Sequence, residues 1–273
     1  MPEYDFSDKV AFVTGAAHGQ GRTHAQHYAK HGADVVVTDL NHNVDTVPYD
    51  LGTHEELEET AGMVEEEGQQ ALALEMDVRE EDQVESAVQE TLDEFGHIDF
   101  LANNAGFWPV SDAVEMDEAM WKDVIDTLLK GVWLPSKHVG KHFIDRGDGG
   151  KIVSTASTAG IVAVPGFAHY VAGKHGVVGI TKTLALELAE YDVNVNAVAP
   201  TAVDTPGIEG LIEAHGEEVF EEIGELGGPM NVLDAGEMIE PDDISQAYMW
   251  LSSDAARYVT GITLPVDAGM TAK

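Results

Sequence analysis

No cysteine occurs among the 273 residues. Disulfides, thiolate nucleophiles and cysteine-held metals are therefore excluded, and nothing points to an oxidising compartment. Nowhere do about 18 apolar residues run together, so no membrane-spanning helix is expected. Residues 1–8 carry neither a basic start nor an apolar stretch, so no secretory signal is expected and the cytoplasm is the default location. Basic residues are scarce: fourteen Lys and Arg stand against fifty Asp and Glu, a formal net charge of −36. Such a surface repels a phosphate backbone, which argues against nucleic-acid binding.

The acids cluster, as in Glu55-Glu56-Leu57-Glu58-Glu59 and Glu65-Glu66-Glu67, yet they are spread along the whole chain. Self-repulsion on this scale opposes a compact state unless salt screens it; at about 1 M the Debye length is about 3 Å. Hydrophobic content is 44%, enough for a core, so disorder is not indicated. Two readings remain, a halophilic, salt-adapted protein and an acidic face for a basic partner. The even spread favours the first.

What the chain does have is a regular alternation of apolar, β-branched runs and helical stretches. Runs at 9–14, 33–39, 70–76, 98–103, 150–154, 193–199 and 261–266 are the expected strands. Helices are expected up to His31, over 54–67, 80–95, 118–144 with a break near Gly131 and Pro135, 169–189, and from Pro241. No internal repeat is visible. The pattern predicts a single α/β domain, doubly wound (Rossmann), with a seven-stranded parallel sheet.

Gly15-Ala16-Ala17-His18-Gly19-Gln20-Gly21 lies between the first strand and its helix. Glycines there let backbone N–H groups at a helix N-terminus approach a pyrophosphate, making Gly15, His18, Gly19, Gln20 and Gly21 candidate dinucleotide contacts. Asp39, ending the second strand, is placed to accept from an adenosine ribose and would repel a 2′-phosphate, which favours NAD over NADP. The connection at 41–53 is long, since about two to six residues are usual. It carries Val44, Val47, Tyr49 and Leu51 and is either a tolerated surface insertion or a flap over the adenosine end. Small residues after the fourth strand, Asn103-Asn104-Ala105-Gly106, suit close approach of backbone to a ligand.

Tyr170 and Lys174 are four apart on an expected helix and so share a face, and Ser157 precedes them by thirteen residues across a Gly- and Pro-containing loop. A phenol, an ammonium and a hydroxyl brought together make a proton-handling site. A nearby lysine cation is expected to lower the tyrosine pKa from its usual value of about 10. His24, His27 and His31 form a helical stripe and His138 and His142 a pair, but no zinc pattern accompanies them, and no metal is expected. His169 is expected to point off the catalytic face. Phe107, Trp108 and Trp133 are either pocket walls or core.

These motifs, in this order, resemble the short-chain dehydrogenase/reductase family over almost the whole chain: Thr14-Gly15-x-x-x-Gly19-x-Gly21, Asp77, Asn103-Asn104-Ala105-Gly106, Ser157, Tyr170-x-x-x-Lys174, and Pro200 with Thr201 and Thr205. Gly19-Gln20-Gly21-Arg22, the insert through Val47-Pro48-Tyr49, and His169-Tyr170-Val171-Ala172-Gly173-Lys174 are similar to the carveol-dehydrogenase-like, mycofactocin-coupled subgroup. That subgroup is associated with a nicotinamide cofactor held so tightly that another redox carrier re-oxidises it in place. The resemblance implies an NAD-dependent oxidoreductase interconverting a secondary, apolar or cyclic alcohol and its ketone, and a homotetramer. The alternatives are a reductase of 3-oxoacyl thioesters and a catalytically weak NAD-binding protein.

The resemblance also implies roles. Tyr170 would be the acid/base, Ser157 would hold the substrate oxygen, and Lys174 would serve the tyrosine and the ribose. Asp77 and Val78 would face the adenine; Asn104, Ala105 and Gly106 would line the cleft; Pro200, Thr201, Val203 and Thr205 would lie by the nicotinamide. Residues 201–240 would set the substrate. One position departs: Leu128 stands where the family usually has an asparagine associated with a water that relays protons from the lysine. Leucine can neither hold nor donate to such a water. Either another group such as Thr127 substitutes, the relay is dispensable, or activity is reduced.

Overall fold

Seven strands, β1 (Val10–Thr14), β2 (Asp34–Asp39), β3 (Ala71–Glu75), β4 (Phe100–Asn103), β5 (Gly150–Thr155), β6 (Val193–Pro200) and β7 (Thr263–Val266), form one parallel sheet. The computed structural model describes residues 4–216, 232–233 and 238–272. Every residue of β1, β4 and β6 is buried, as expected of strands covered on both faces. The order is β3-β2-β1-β4-β5-β6-β7, so the winding reverses between β1 and β4. A crevice opens at such a reversal, outside the carboxyl ends of the strands.

Helices α1 (Gly19–Lys30) and α2 (His54–Glu66) cover one face of the sheet together with α8 (Pro241–Ser252). The other face carries α3 (Glu81–Phe95), α5 (Gly131–Arg146) and α6 (Ala168–Glu187). Local sequence fixes their ends. Thr53 and Glu56 cap α2 reciprocally, worth about 1 kcal/mol, and α3 and α5 stop at Gly96 and Gly147 in the left-handed region.

The break expected near Gly131 and Pro135 falls earlier. Helix α4 (Glu118–Ile125) passes through a widened π turn at Asp126–Lys130 into α5, and Pro135 lies within α5. Close packing goes with the wide turn: a Cβ on Gly131 would lie 2.5 Å from Val78 Cγ2, so only glycine lets the chain come this near the end of β3.

Within 201–240, α7 (Pro206–His215) follows β6, while residues 217–231 and 234–237 of the expected substrate segment lie outside the described residues. The loop at 41–53 buries Val44, Val47 and Tyr49 against Phe107, Val124, Leu128, Phe167 and Leu211. Asn43 ties it together, donating to Asp50 and accepting from the Leu51 N–H, both at 2.8 Å, and Thr46 donates to Asp123 of α4 at 2.9 Å. Among the described residues, no helix is long and apolar enough to cross a membrane.

Candidate active site

One cleft lies over the β1/β4 reversal, and all but one of the sequence-predicted site residues line it. The first turn of α1 has no side-chain cap at His18, so its leading N–H groups are not taken up by a capping side chain. His18 Nδ1 and Gln20 Oε1 are buried without a partner among the described residues. Gly15 has φ +66°, and a Cβ on it would lie 2.6 Å from Ala105 Cα. Backbone thus meets backbone at the floor of a cradle. An uncapped helix start and glycine-only approach fit a pyrophosphate, to which His18 Nδ1 could donate as an N–H tautomer, whereas Gln20 Oε1 is an acceptor and could not. Gly21 is the exception: a Cβ there would fall 1.9 Å from Gly15 O, so this glycine packs α1 beneath the turn instead of facing the cleft.

Asp39 closes the β2 end of the cleft. Its Oδ2 accepts from Ala17 N at 2.9 Å and its Oδ1 from Leu40 N at 2.7 Å. Burial raises its pKa against the opposing effect of those donors. Asp77 is held differently. Burial pushes its carboxyl up, but the Arg79 side chain, 2.8–3.0 Å away in a fork, outweighs that and keeps it below the ordinary carboxylate value. Arg79 also reaches Asp123 at 3.1 Å, linking the segment after β3 to α4. Sequence reasoning passed over Arg79. The signal was there: a basic residue, rare in this chain, two positions after Asp77, just past the end of β3.

Thr14 organises the neighbouring loop, its hydroxyl accepting from Asn104 N at 3.0 Å and Ala105 N at 3.1 Å. Asn104 Nδ2 donates to Gly15 O at 3.0 Å, stitching the β1 and β4 turns together. Pro200, Thr201, Val203 and Thr205 bring the end of β6 and the start of α7 to the same cleft.

Strand β5 delivers Ser157 just past its end, where the hydroxyl accepts from Ala159 N at 3.1 Å and lies near enough to the Tyr170 phenol to lower its pKa. Helix α6 carries Tyr170 and Lys174 on one face. Lys174 Nζ donates to Thr155 O at 2.6 Å and lies 5.5 Å from the Tyr170 ring centroid. The expected direction of the tyrosine shift is reversed. Burial pushes Tyr170 up to about 12, opposed only by the Ser157 hydroxyl, and burial pushes Lys174 down to about 7. A lysine that desolvation brings near neutrality is a weaker source of positive charge, so the lowering argued from spacing does not arise from these side chains alone. The trio can still hold an oxygen between two hydroxyls and exchange a proton with it.

Leu128 is fully buried in the π turn, its Cδ2 only 2.7 Å from where a Cβ on Gly106 would stand. The Thr127 hydroxyl turns back on its own helix and donates to Asp123 O at 2.8 Å. Tyr248, on α8, escaped sequence reasoning: it bonds Thr155 Oγ1 at 2.6 Å at the sheet's carboxyl edge, and nothing local marks it. Tyr49, named above within the long 41–53 connection, reaches the cleft from that loop.

The stripe histidines have structural partners: His24 bonds Ser245 at 2.7 Å, His27 bonds Asp242 at 2.6 Å and His31 meets Tyr4. Burial pushes His24 down to about 3, so it packs as a neutral ring stacked on Tyr248. His142 accepts from Ile98 N at 3.1 Å. His169 is buried outside the cleft wall, whereas Phe107 and Trp108 line the cleft and Trp133 is partly exposed on α5.

Residues 15–271 match a short-chain dehydrogenase family model described as enoyl-(acyl carrier protein) reductase. The (-)-trans-carveol dehydrogenase of Rhodococcus erythropolis is 38% identical over 271 residues, 97% of this chain and 98% of that protein. The crystal structure of carveol dehydrogenase from Mycobacterium avium in complex with NAD is similar at TM-score 0.91 and 36% identity, covering 99% of this chain and 100% of that one. A short chain dehydrogenase from Mycobacterium paratuberculosis bound to NAD gives TM-score 0.93 at 33% identity, over 98% and 100% of the two chains. A doubly wound sheet, a glycine cradle at its switch point and a family match across nearly the whole length lead to one conclusion: the chain belongs to the short-chain dehydrogenase/reductase family.

Proposed function

We propose that this chain is an NAD-dependent oxidoreductase that interconverts a secondary, apolar or cyclic alcohol and its ketone. The observation that carries the reading is Ser157, Tyr170 and Lys174 on the wall of the same cleft as the Gly15 cradle and Asp39. Gly15, Gly19 and the start of α1 would hold the pyrophosphate, Asp39 the adenosine ribose, and Asp77 and Val78 the adenine edge. When bound, NAD supplies the hydride acceptor. Ser157 holds the substrate hydroxyl and Tyr170 takes its proton as the carbinol hydrogen leaves, so negative charge does not build up on the oxygen. Lys174 steadies the ribose and, by its charge state, the phenol. Asp39 disfavours NADP and with it the thioester-ketone alternative.

The likeness to carveol dehydrogenases supports the cyclic substrate. Within the same reading the cofactor stays bound and an external redox carrier re-oxidises it, and the protein works as a homotetramer. The test is turnover of a panel of cyclic alcohols with NAD and an artificial electron acceptor at molar salt, with mass spectrometry of the purified protein for retained nicotinamide. Turnover of a cyclic alcohol is expected. Bound NAD with no alcohol oxidised would instead favour a weak NAD-binding protein, the reading that Leu128 motivates.

The charge of −36 supports salt adaptation as part of this proposal. Melting temperature should climb with potassium chloride towards molar concentrations as screening relieves self-repulsion. Equal melting at low and molar salt would refute it.

A further inference from the structure

The 41–53 loop reaches beyond the adenosine end. Tyr49 is nearly buried and lines the cleft, and its hydroxyl accepts from Trp108 N at 3.0 Å. The Trp108 ring in turn stands edge-on to Tyr170 at 5.9 Å, and Phe167 does the same at 6.2 Å. Burial, and to a lesser degree the nearby Tyr170, raises the pKa of Tyr49. The aromatic group therefore surrounds the proton-exchanging phenol.

Helix α7 is shaped to receive it. Gly207 and Gly210 are three apart and share one helix face. A Cβ on Gly210 would lie 2.7 Å from Tyr49 Cβ, and one on Gly207 would lie 3.4 Å from the Trp108 ring. The missing side chain at Gly210 makes room for Tyr49, while one at Gly207 would merely touch the Trp108 ring, so Gly210 lets the loop pack against the helix that follows β6.

We infer that Tyr49 is a specificity-determining wall of the substrate pocket, selecting a ring-sized alcohol with a single hydroxyl over a polyol. The inference rests on the proposed alcohol oxidation. Its physical basis is the distribution of polar groups. The Tyr49 hydroxyl accepts from the Trp108 backbone N–H, and the two rings, with Val164, Phe167 and Leu211, turn mostly carbon towards the cleft. The substrate hydroxyl has Ser157 and Tyr170 to meet. A second hydroxyl against the ring faces of this mostly carbon wall would shed water without full replacement of its hydrogen bonds, which selects against it.

The test compares kcat and KM for cyclohexanol and glycerol in the wild-type protein, Tyr49→Ala and Tyr49→Phe, with NADH affinity from fluorescence titration and a melting curve for each. Tyr49→Ala should raise KM for cyclohexanol about tenfold or more and lower the cyclohexanol-to-glycerol ratio of kcat/KM accordingly, with NADH affinity held. Tyr49→Phe keeps the ring and should recover most of that loss. An unchanged ratio in a folded Tyr49→Ala protein would overturn the inference, as would a loss of NADH affinity that accounts for the whole effect. Wild-type protein that oxidises neither this panel nor other alcohols would defeat the proposed function itself. Oxidation with a ratio indifferent to residue 49 would defeat only the inference.

Discussion

Tyr170→Phe is expected to lower kcat by about 10²–10⁴-fold, the usual worth of a positioned acid/base, while the protein still binds NAD. The substitution removes one oxygen. The ring contacts with Trp108 and Phe167 survive, so neither α6 nor the pocket wall loses its packing. What disappears is the phenol that burial holds near 12 and that the Ser157 hydroxyl partly offsets. At neutral pH that phenol carries its proton, and in the proposed reducing direction it would give it to a carbonyl oxygen. The proposed alcohol oxidation would instead need the phenolate, and with Lys174 near 7 a bound oxidised nicotinamide would supply the further positive charge that favours it. Initial rates in both directions, with NADH fluorescence titration as the binding control, check this. A variant with undiminished rates would remove Tyr170 from the mechanism.

Much of this arrangement can be read from single segments, because each depends on a few adjacent residues. Val10–Thr14 followed by Gly15–Gly21 and then Asp39 is local, and the structure places it at the switch point as the spacing implies. Tyr170 and Lys174 need only helical periodicity to share a face. Where partners come from distant parts of the chain, the sequence is silent. Tyr248 reaches Thr155 across 93 positions and Tyr49 meets Trp108 across 59, and neither pairing has a local pattern. Gly21 matches a motif, but its inward-facing role depends on Gly15 O, which only the folded turn brings within 1.9 Å of its missing Cβ. The tyrosine shift failed for a related reason. Charge was inferred from spacing, whereas burial, which belongs to the whole fold, proved the larger cause.

Leu128 yields the second large effect. The side chain is wedged between the cofactor loop and the catalytic helix: a Cβ on Gly106 would lie 2.7 Å from its Cδ2, and one on Gly173 would lie 3.1 Å from its Cβ. Gly173 is three positions after Tyr170, so Leu128 seals the cleft beside the proton-handling group. Leu128→Ala should cost about 2–5 kcal/mol, since the glycines on either side offer no atoms to fill the space. At about 2–4 °C per kcal/mol for a chain near this size, thermal melting reads this as a drop of about 4–20 °C. Leu128→Asn is the more informative change. Asparagine branches at the same carbon and fits the notch, but its buried amide needs partners, at a cost of about 1–3 kcal/mol if none is found. A water admitted beside it would supply them. In the native protein Lys174 donates to the Thr155 carbonyl, an acceptor with no proton to pass on. A water at position 128 would add a route for protons, and kcat at neutral pH is expected to rise in Leu128→Asn even as its melting temperature falls. A kcat that falls or stays level, with NADH affinity intact, would mean that protons leave the native site by another way, with the leucine acting only as packing.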